Sequence, residues 1–144
     1  IGKERYKIEE IVTGAIESVY QSSRIQKICN DLDLWCFNPL WQINQLNLLK
    51  ELVSAGFKTV ITGVFAYPFD ETWLGREIDE KTIKELEELQ KRHKISPSGE
   101  GGEIETFIRD APMFKKRIEI IKASKTYSRY SGVYKIEEAR LVEK

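Results

Sequence analysis

Leu48-Leu49-Lys50-Glu51-Leu52-Val53-Ser54-Ala55-Gly56-Phe57-Lys58-Thr59-Val60-Ile61-Thr62-Gly63-Val64-Phe65 changes period at its glycine. Upstream, Ile43, Leu46, Leu49, Leu52 and Val53 recur at helical spacing, so a helix is expected from about Gln42 to Ala55. Gly56 suits the residue after a helix because it tolerates positive φ. Downstream, Phe57 to Phe65 is apolar and β-branched, the strongest strand signal in the chain, and Tyr67-Pro68-Phe69-Asp70 closes it as a loop. A helix handing directly to a buried strand is the repeating step of an α/β fold.

The same alternation extends in both directions. Upstream, Glu10 to Ala15 reads as a strand ending at Gly14. A helix follows from about Ser18 to Leu32, with Ile25, Ile28, Cys29 and Leu32 on one face, and then a short strand, Leu34 to Phe37, is broken by Asn38-Pro39. Downstream, Asp79 is a good N-cap for a helix to about His93, with Ile83, Leu86 and Leu89 inward. Its Glu80/Lys84, Glu87/Lys91 and Glu88/Arg92 pairs mark a solvated face. From Ser96 the chain turns to loop and strand: Glu103 to Arg109, then Arg117 to Tyr127 and Val133 to Val142, joined around Ser131-Gly132. Strands alternating with helices imply parallel pairing, and the last strands add an antiparallel portion. The boundary is expected near Asn38-Pro39, dividing the chain into residues 1–38 and 39–144.

The totals bound the function. Lys+Arg is 23 and Asp+Glu is 23, so no net charge draws the 144-residue chain to nucleic acid or to a membrane surface. No apolar run is long enough to span a bilayer and no signal peptide is visible, which makes the cytoplasm the expected location. Cys29 and Cys36 read as two buried free thiols, not a secreted disulfide framework. The first residue is Ile1 and the sole methionine is Met113, so the chain reads as a piece of a longer protein.

Four segments could carry chemistry. In Gly99 to Thr106, three glycines in four positions open backbone conformations closed to other residues. Glu103 and Glu105, two apart, share a strand face, and Glu100 could join them to hold a cation or ammonium group or act as an acid–base set. A flexible acidic turn is the plainer alternative. In Gly14 to Arg24 a strand end enters a helix, where ligands gather in open α/β sheets, and Tyr20 and Arg24 share a face. An ordinary βα junction capped by Ser18 explains that spacing as well or better. Trp73, in the loop Asp70 to Arg76, and Trp41 read as packing or cleft-wall residues, while Asn44 and Gln45 divide evenly between caps and substrate contacts. His93, the single histidine, fits a contact with its helix's C-terminal dipole. No His/Cys set has metal-ligand spacing, no Walker-type loop exists, and Lys115, Lys116, Arg117, Lys122, Lys125 and Arg129 read as solvated surface.

Glu100-Gly101-Gly102-Glu103-Ile104-Glu105-Thr106, followed by Phe107, Asp110, Pro112, Phe114 and Lys115, resembles the signature of the diphthine–ammonia ligase family of PP-loop ATP-binding proteins. Gly14, Ser18, Tyr20, Gln21 and Arg24 are similar to its Gly…Ser-x-Tyr-Gln-x-x-Arg segment. Trp73-Leu74-Gly75-Arg76, with Asp79 after it, and the closing Ile136-Glu137-Glu138-Ala139 also match. The family's Ser-Gly-Gly-x-Asp-Ser turn is not in this sequence, and Gln42-Ile43-Asn44-Gln45 stands where the family usually has Arg-Arg-Asp-Gln.

The resemblance implies the end of a Rossmann-like (PP-loop/HUP-type) parallel sheet in residues 1–38, the remnant of an ATP-binding domain. A small α/β substrate-binding domain with a mixed sheet would follow in residues 39–144. It implies that the intact protein uses ATP, with Mg²⁺, to adenylate the diphthine carboxylate of translation elongation factor 2, after which ammonia displaces AMP. The chain alone would not be a complete ATP enzyme. Glu100, Glu103 and Glu105 would be catalytic on the diphthine or ammonia side. Gly101, Gly102, Thr106, Trp41, Trp73 and Arg76 would bind substrate, and Gly14, Ser18, Tyr20, Gln21 and Arg24 would line the nucleotide. No residue is assigned to a metal. Elongation factor 2 and ammonium are the implied partners, with no membrane or nucleic acid, and a homodimer stays open. The end at Lys144 resembles the shorter archaeal form. The rival readings are another PP-loop ATP enzyme, such as a tRNA-modifying one, and a non-catalytic partner-binding module.

Overall fold

The structure is a computed structural model that describes residues 2–144. It divides into two compact units, one ending at Asn44 and the other Gln45–Lys144.

In the first unit, α1 (Gly2–Tyr6) precedes β1 (Glu10–Val12), α2 (Val19–Asp31) and β2 (Trp35–Phe37). The two strands pair in parallel with Glu10 opposite Trp35, Ile11 opposite Cys36 and Val12 opposite Phe37. Thr13 N–H continues the ladder to Phe37 O at 2.9 Å, and the Thr13 hydroxyl hydrogen-bonds Asn38 Oδ1. Ser18 caps α2 as its position suggests, its Oγ accepting from Gln21 N–H. The expected apolar stripe is only partly covered. Cys29 is buried, whereas Ile28 and Leu32 stay exposed, because a two-stranded sheet offers little surface to pack against. Both cysteines are free; Cys36 is half-buried where burial was expected. Burial, followed by the neighbouring Cys36, pushes the Cys29 thiol up from its ordinary range.

The second unit opens with α3 (Gln45–Ser54). The expected helix start at Gln42 is corrected: Gln42 has φ 60° and donates its N–H to Ile16 O at 2.7 Å, a left-handed conformation that no α-helix accommodates. Gly56 follows α3 with φ 89°, as expected of a C′ residue. Then come β3 (Lys58–Val64), a 3₁₀ turn at Glu71–Trp73, α4 (Glu80–His93), β4 (Ile104–Asp110), β5 (Lys116–Ser128) and β6 (Ser131–Glu143). The sheet order is β4-β3-β6-β5, and every pairing in it is antiparallel. The expected parallel and antiparallel pairings are thus divided between two sheets, parallel in the first unit and antiparallel in the second.

α4 forms where sequence logic puts it. Asp79 Oδ1 accepts from Thr82 N–H at 2.7 Å, and Lys94 ends the helix in the left-handed region at φ 59°. Glu87–Lys91 and Glu88–Arg92 form ion pairs along the solvated face. Ile83 and Leu86 enter a core with Ile61, Val64, Phe69 and Ile104. Three basic residues of the hairpin are held across its strands, Lys116 by Glu143, Lys122 by Glu137 and Arg140 by Glu119, the first two among those read as solvated surface.

The hairpin turn is a second correction. It lies at Arg129–Tyr130, with φ 48° and 65°, and not at Ser131-Gly132. Two positive-φ residues between paired strands make the tight turn whose twist matches the flanking strands. Gly132 is instead inside β6, opposite Tyr127. A Cβ there would sit 2.7 Å from Thr126 O and 2.9 Å from Leu74, so its glycine serves close packing.

Candidate functional site

The glycine segment between α4 and β4 is a turn held from two sides. Gly99 N–H donates to Ser96 O and Gly102 N–H to Gly99 O, each at 2.9 Å, with φ 83° at Gly99 and 80° at Gly102. At these two positions glycine is demanded by the backbone itself. Gln45, buried at the start of α3, accepts from Ser98 N–H at 3.1 Å and from Ser98 Oγ–H at 2.7 Å. Gln45 is therefore a clamp on the loop, a role outside the helix cap and the substrate contact between which the sequence divided.

Glu103 holds the loop from inside. Its Oε1 accepts from Ser96 N–H at 3.1 Å, and a Cβ at Gly101 would lie 2.5 Å from both carboxylate oxygens. Gly101 therefore leaves the space that the carboxylate fills. Glu103 Oε2 is buried and has no hydrogen-bond partner among the described residues. A buried carboxylate oxygen without a donor is costly and is the natural place for a missing N–H or proton.

Glu105 meets a different fate two residues on. Ile104 between them is buried in the core, so alternation directs Glu103 and Glu105 to the opposite side. Glu103 turns back into the loop, whereas Glu105 stays exposed opposite Gly63. The bare Cα of Gly63 makes room for the Phe65 ring, beside Glu105 Cβ. Glu100 lies half-buried in the turn, and Thr106 is exposed opposite Ile61. Among the described residues, no group of three or more His, Cys, Asp or Glu side chains is placed to hold a metal ion.

Trp73 and Arg76 are bound into the fold. Trp73 is buried, edge-on to Phe69 at 5.1 Å. The Arg76 guanidinium lies 4.6 Å over the Trp73 ring and grips Glu85 of α4 with two hydrogen bonds, 2.7 and 2.6 Å. This forked contact raises the Arg76 pKa and holds the Glu85 carboxyl below its usual range. The main chain of Gly75 and Arg76 also pairs with Ile61, so the whole segment flanks β3.

In the first unit, Arg24 hydrogen-bonds the Tyr20 hydroxyl and sits 5.0 Å from the centre of its ring, the pairing expected from their spacing. Tyr20, Gln21 and Arg24 are exposed, and a Cβ at Gly14 would meet no atom within 4 Å. Trp41 is a cleft wall, with Ser22, Ser23, Gln26, Cys36 and Asn38.

Sequence reasoning missed the aromatic residues at the far end of β3. Tyr67 stands at right angles to His93, 5.1 Å between ring centres, and to Tyr130, 5.5 Å. Nothing local marks them. A hairpin turn read at 129–130 would have put Tyr130 at that end. His93, expected to meet its helix dipole, meets Tyr67 in the last turn of α4.

The comparisons with known proteins converge. Over 123 residues the chain is 41% identical to Diphthine--ammonia ligase of Mus musculus, aligning 82% of this chain with 44% of that protein. The Homo sapiens protein of that name is 41% identical over 117 residues (81% and 43%), and that of Saccharomyces cerevisiae 31% over 136 (81% and 20%). The chain thus spans less than half the length of these relatives. They are animal and fungal proteins and give no support to the archaeal form expected from the chain's end. Residues 44–142, the second unit almost whole, match the family described as Diphthamide synthase C-terminal domain, and the chain belongs to the diphthine–ammonia ligase family.

Proposed function

We propose that the intact protein amidates diphthine on translation elongation factor 2 in the cytoplasm, using ATP and ammonia, with the second unit of this chain on the substrate side. The observation that carries this reading is the buried, unpartnered Oε2 of Glu103 inside a turn fixed by Ser96 and Gln45. An ammonium ion has the N–H donors this oxygen lacks, and ammonia must lose a proton as it becomes an amide nitrogen. Glu103 Oε2 would hold the ammonium and take the proton whose loss frees ammonia to attack, the later proton passing to solvent. Its partner oxygen, tied to Ser96 N–H, keeps the carboxylate from rotating away. Glu105 and Glu100 keep the surroundings negative, which favours a cationic substrate.

The exposed donors at the start of α2 fit a nucleotide. Arg24 offers a guanidinium for phosphate charge, Tyr20 an aromatic face, and Gly14 open space, with Ser18 and Gln21 shaping the helix entry. ATP, when bound, supplies the activation of the substrate carboxylate. Mg²⁺ is taken to arrive with it, and no residue of this chain is assigned to that ion.

The test is AMP release by the intact protein with ATP, ammonium and diphthine-bearing elongation factor 2. AMP that depends on both the modified factor and ammonium supports the reading. Independence from either one shifts it to another adenylated substrate or a binding role. Glu103→Ala should lower turnover about 10²-fold or more while the fold persists by circular dichroism. Wild-type turnover in that variant removes Glu103 from the chemistry.

A further inference from the structure

In the first unit, the two cysteines meet at a place that the amidation chemistry does not use. Cys36 is the middle residue of β2, between Trp35 and Phe37, which are 79% and 57% exposed. Alternation turns its side chain to the opposite face, where it lines one cleft with Ser22, Ser23 and Gln26 of α2. Ser22 and Gln26 are four apart and Cys29 follows three residues on, so all three share one stripe of the helix. Cys29 is the residue that α2 buries, and its carbonyl accepts from Leu34 N–H at 2.8 Å, which ties the end of the helix to the approach to β2. The stripe that borders Cys36 thus runs on to Cys29, and the two thiols are neighbours: Cys36 joins burial in pushing the Cys29 pKa up.

Two neighbouring thiols can do what one cannot. Among the described residues no third His, Cys, Asp or Glu joins them to hold a metal ion, and the chemistry open to the pair is thiol–disulfide exchange. The difference in exposure sets the order of events. Cys36 is half-buried and borders a cleft of about 410 Å³, whereas Cys29 is 1% exposed. A small oxidant in the cleft therefore meets Cys36 first, and Cys29 stands behind it to resolve the product.

We propose that Cys29 and Cys36 are a redox-modification site, a dithiol that a small disulfide of the glutathione type converts reversibly to an internal disulfide between α2 and β2. The Cys36 thiolate attacks one sulfur of oxidised glutathione. A Cys36–glutathione disulfide forms, and one glutathione leaves as a thiolate that takes up a proton. Cys29 then gives up its proton and attacks the Cys36 sulfur, expelling the second glutathione. Two protein thiols are oxidised, one glutathione disulfide is reduced to two thiols, and the two protons lost by the protein end on the two glutathione molecules. The bond fastens α2 to a sheet too narrow to hold it by packing alone, and excess reduced glutathione releases it.

The test incubates this chain in glutathione buffers of stepped oxidised-to-reduced ratio, quenches with acid, and reads the intact mass and the linked peptides. The expected product is the chain lighter by two hydrogens, with Cys29 joined to Cys36 and no glutathione retained, and dithiothreitol should reverse it. Because a bond that stabilises the fold is favoured by the fold, the folded chain should reach half-oxidation at a ratio about tenfold or more below that needed by the chain in urea. Cys29→Ala should stop at one glutathione on Cys36, and Cys36→Ala should leave Cys29 unmodified, with circular dichroism to check that each variant is folded. The wild-type result decides even where a variant unfolds. A lasting glutathione adduct on wild-type Cys36, a link between two chains, no reaction at any ratio, or the same ratio for folded and denatured chain would overturn the site.

Discussion

The two units obey the same sequence rules and differ in what those rules achieve. In the first, α2 carries an apolar stripe, yet Ala15, Ile16 and Cys29 are its buried hydrophobics among the described residues, while Val12, Trp35 and Phe37 are 57–79% exposed. In the second, α3 and α4 carry similar stripes and close a core in which Ile61, Val64, Phe69 and Leu86 are completely buried. The difference lies in the sheet. Four antiparallel strands, two of them 13 residues long, give helices a surface to cover, and two parallel strands of three residues do not. Amphipathic period therefore says which face of a helix seeks burial, and sheet width decides whether it finds it.

The sharpest way to break this contrast is to remove a side chain from each stripe. Leu86→Ala should cost the second unit about 2–5 kcal/mol in denaturant unfolding, and Ile28→Ala about 0.5 kcal/mol or less. Similar costs at both sites would erase the distinction. Arg76→Lys tests a tie within the second unit. Lysine keeps the charge and loses the fork on Glu85 and most of the stacking on Trp73, so a loss of about 1 kcal/mol is expected, and a neutral result would reduce that tie to surface decoration.

Acid should act more gradually. The Asp79 carboxyl is held down by Thr82 N–H, that of Glu85 by Arg76 and that of Asp110 by Lys144. In Glu77, burial pushes the pKa up but Arg109 and Lys58 outweigh it. Folded values below the unfolded ones give stability that is full above about pH 4 and lost as pH falls through the folded values. Melting temperature should therefore decline on acidification below that point, and a flat profile down to pH 2 would show these contacts to be idle. The smallest expected effect is chemical: Cys36, half-buried, should alkylate faster than Cys29, whose buried thiol resists ionisation. The reverse order would mean that α2 opens readily from its strands.

What could be read from the sequence was local. The start of α4 at Asp79, the end of α3 at Gly56 and the strand after it each rest on signals within a few residues, and all three stand where they were expected. The clamp between Gln45 and Ser98 joins positions 53 apart, so no spacing rule reaches it. The three glutamates of the glycine segment look equivalent as text. Glu103 turns inward because Gly101 has no side chain to block it and Ser96 offers an N–H, while Glu105 faces Gly63 on a distant strand. The first cause lay two residues away and was legible in principle. The second needed the register of β3 and β4. Trp73 was legible as a packing residue and Arg76 only through the resemblance, and the ion-pair partner of Arg76, Glu85, belongs to a helix face that reads as plain solvated charge.

The hairpin tip carries a consequence for anyone who would engineer this chain. Arg129 and Tyr130 occupy left-handed backbone at φ 48° and 65°, a conformation that costs an ordinary residue about 1–2 kcal/mol and glycine almost nothing. A stability screen would therefore favour glycine or asparagine at 130 and score the change as an improvement. That change would also remove the edge-on contact of the Tyr130 ring with Tyr67. Relief of backbone strain and loss of ring packing pull this one position in opposite directions, so a library scored on melting alone would record only their difference.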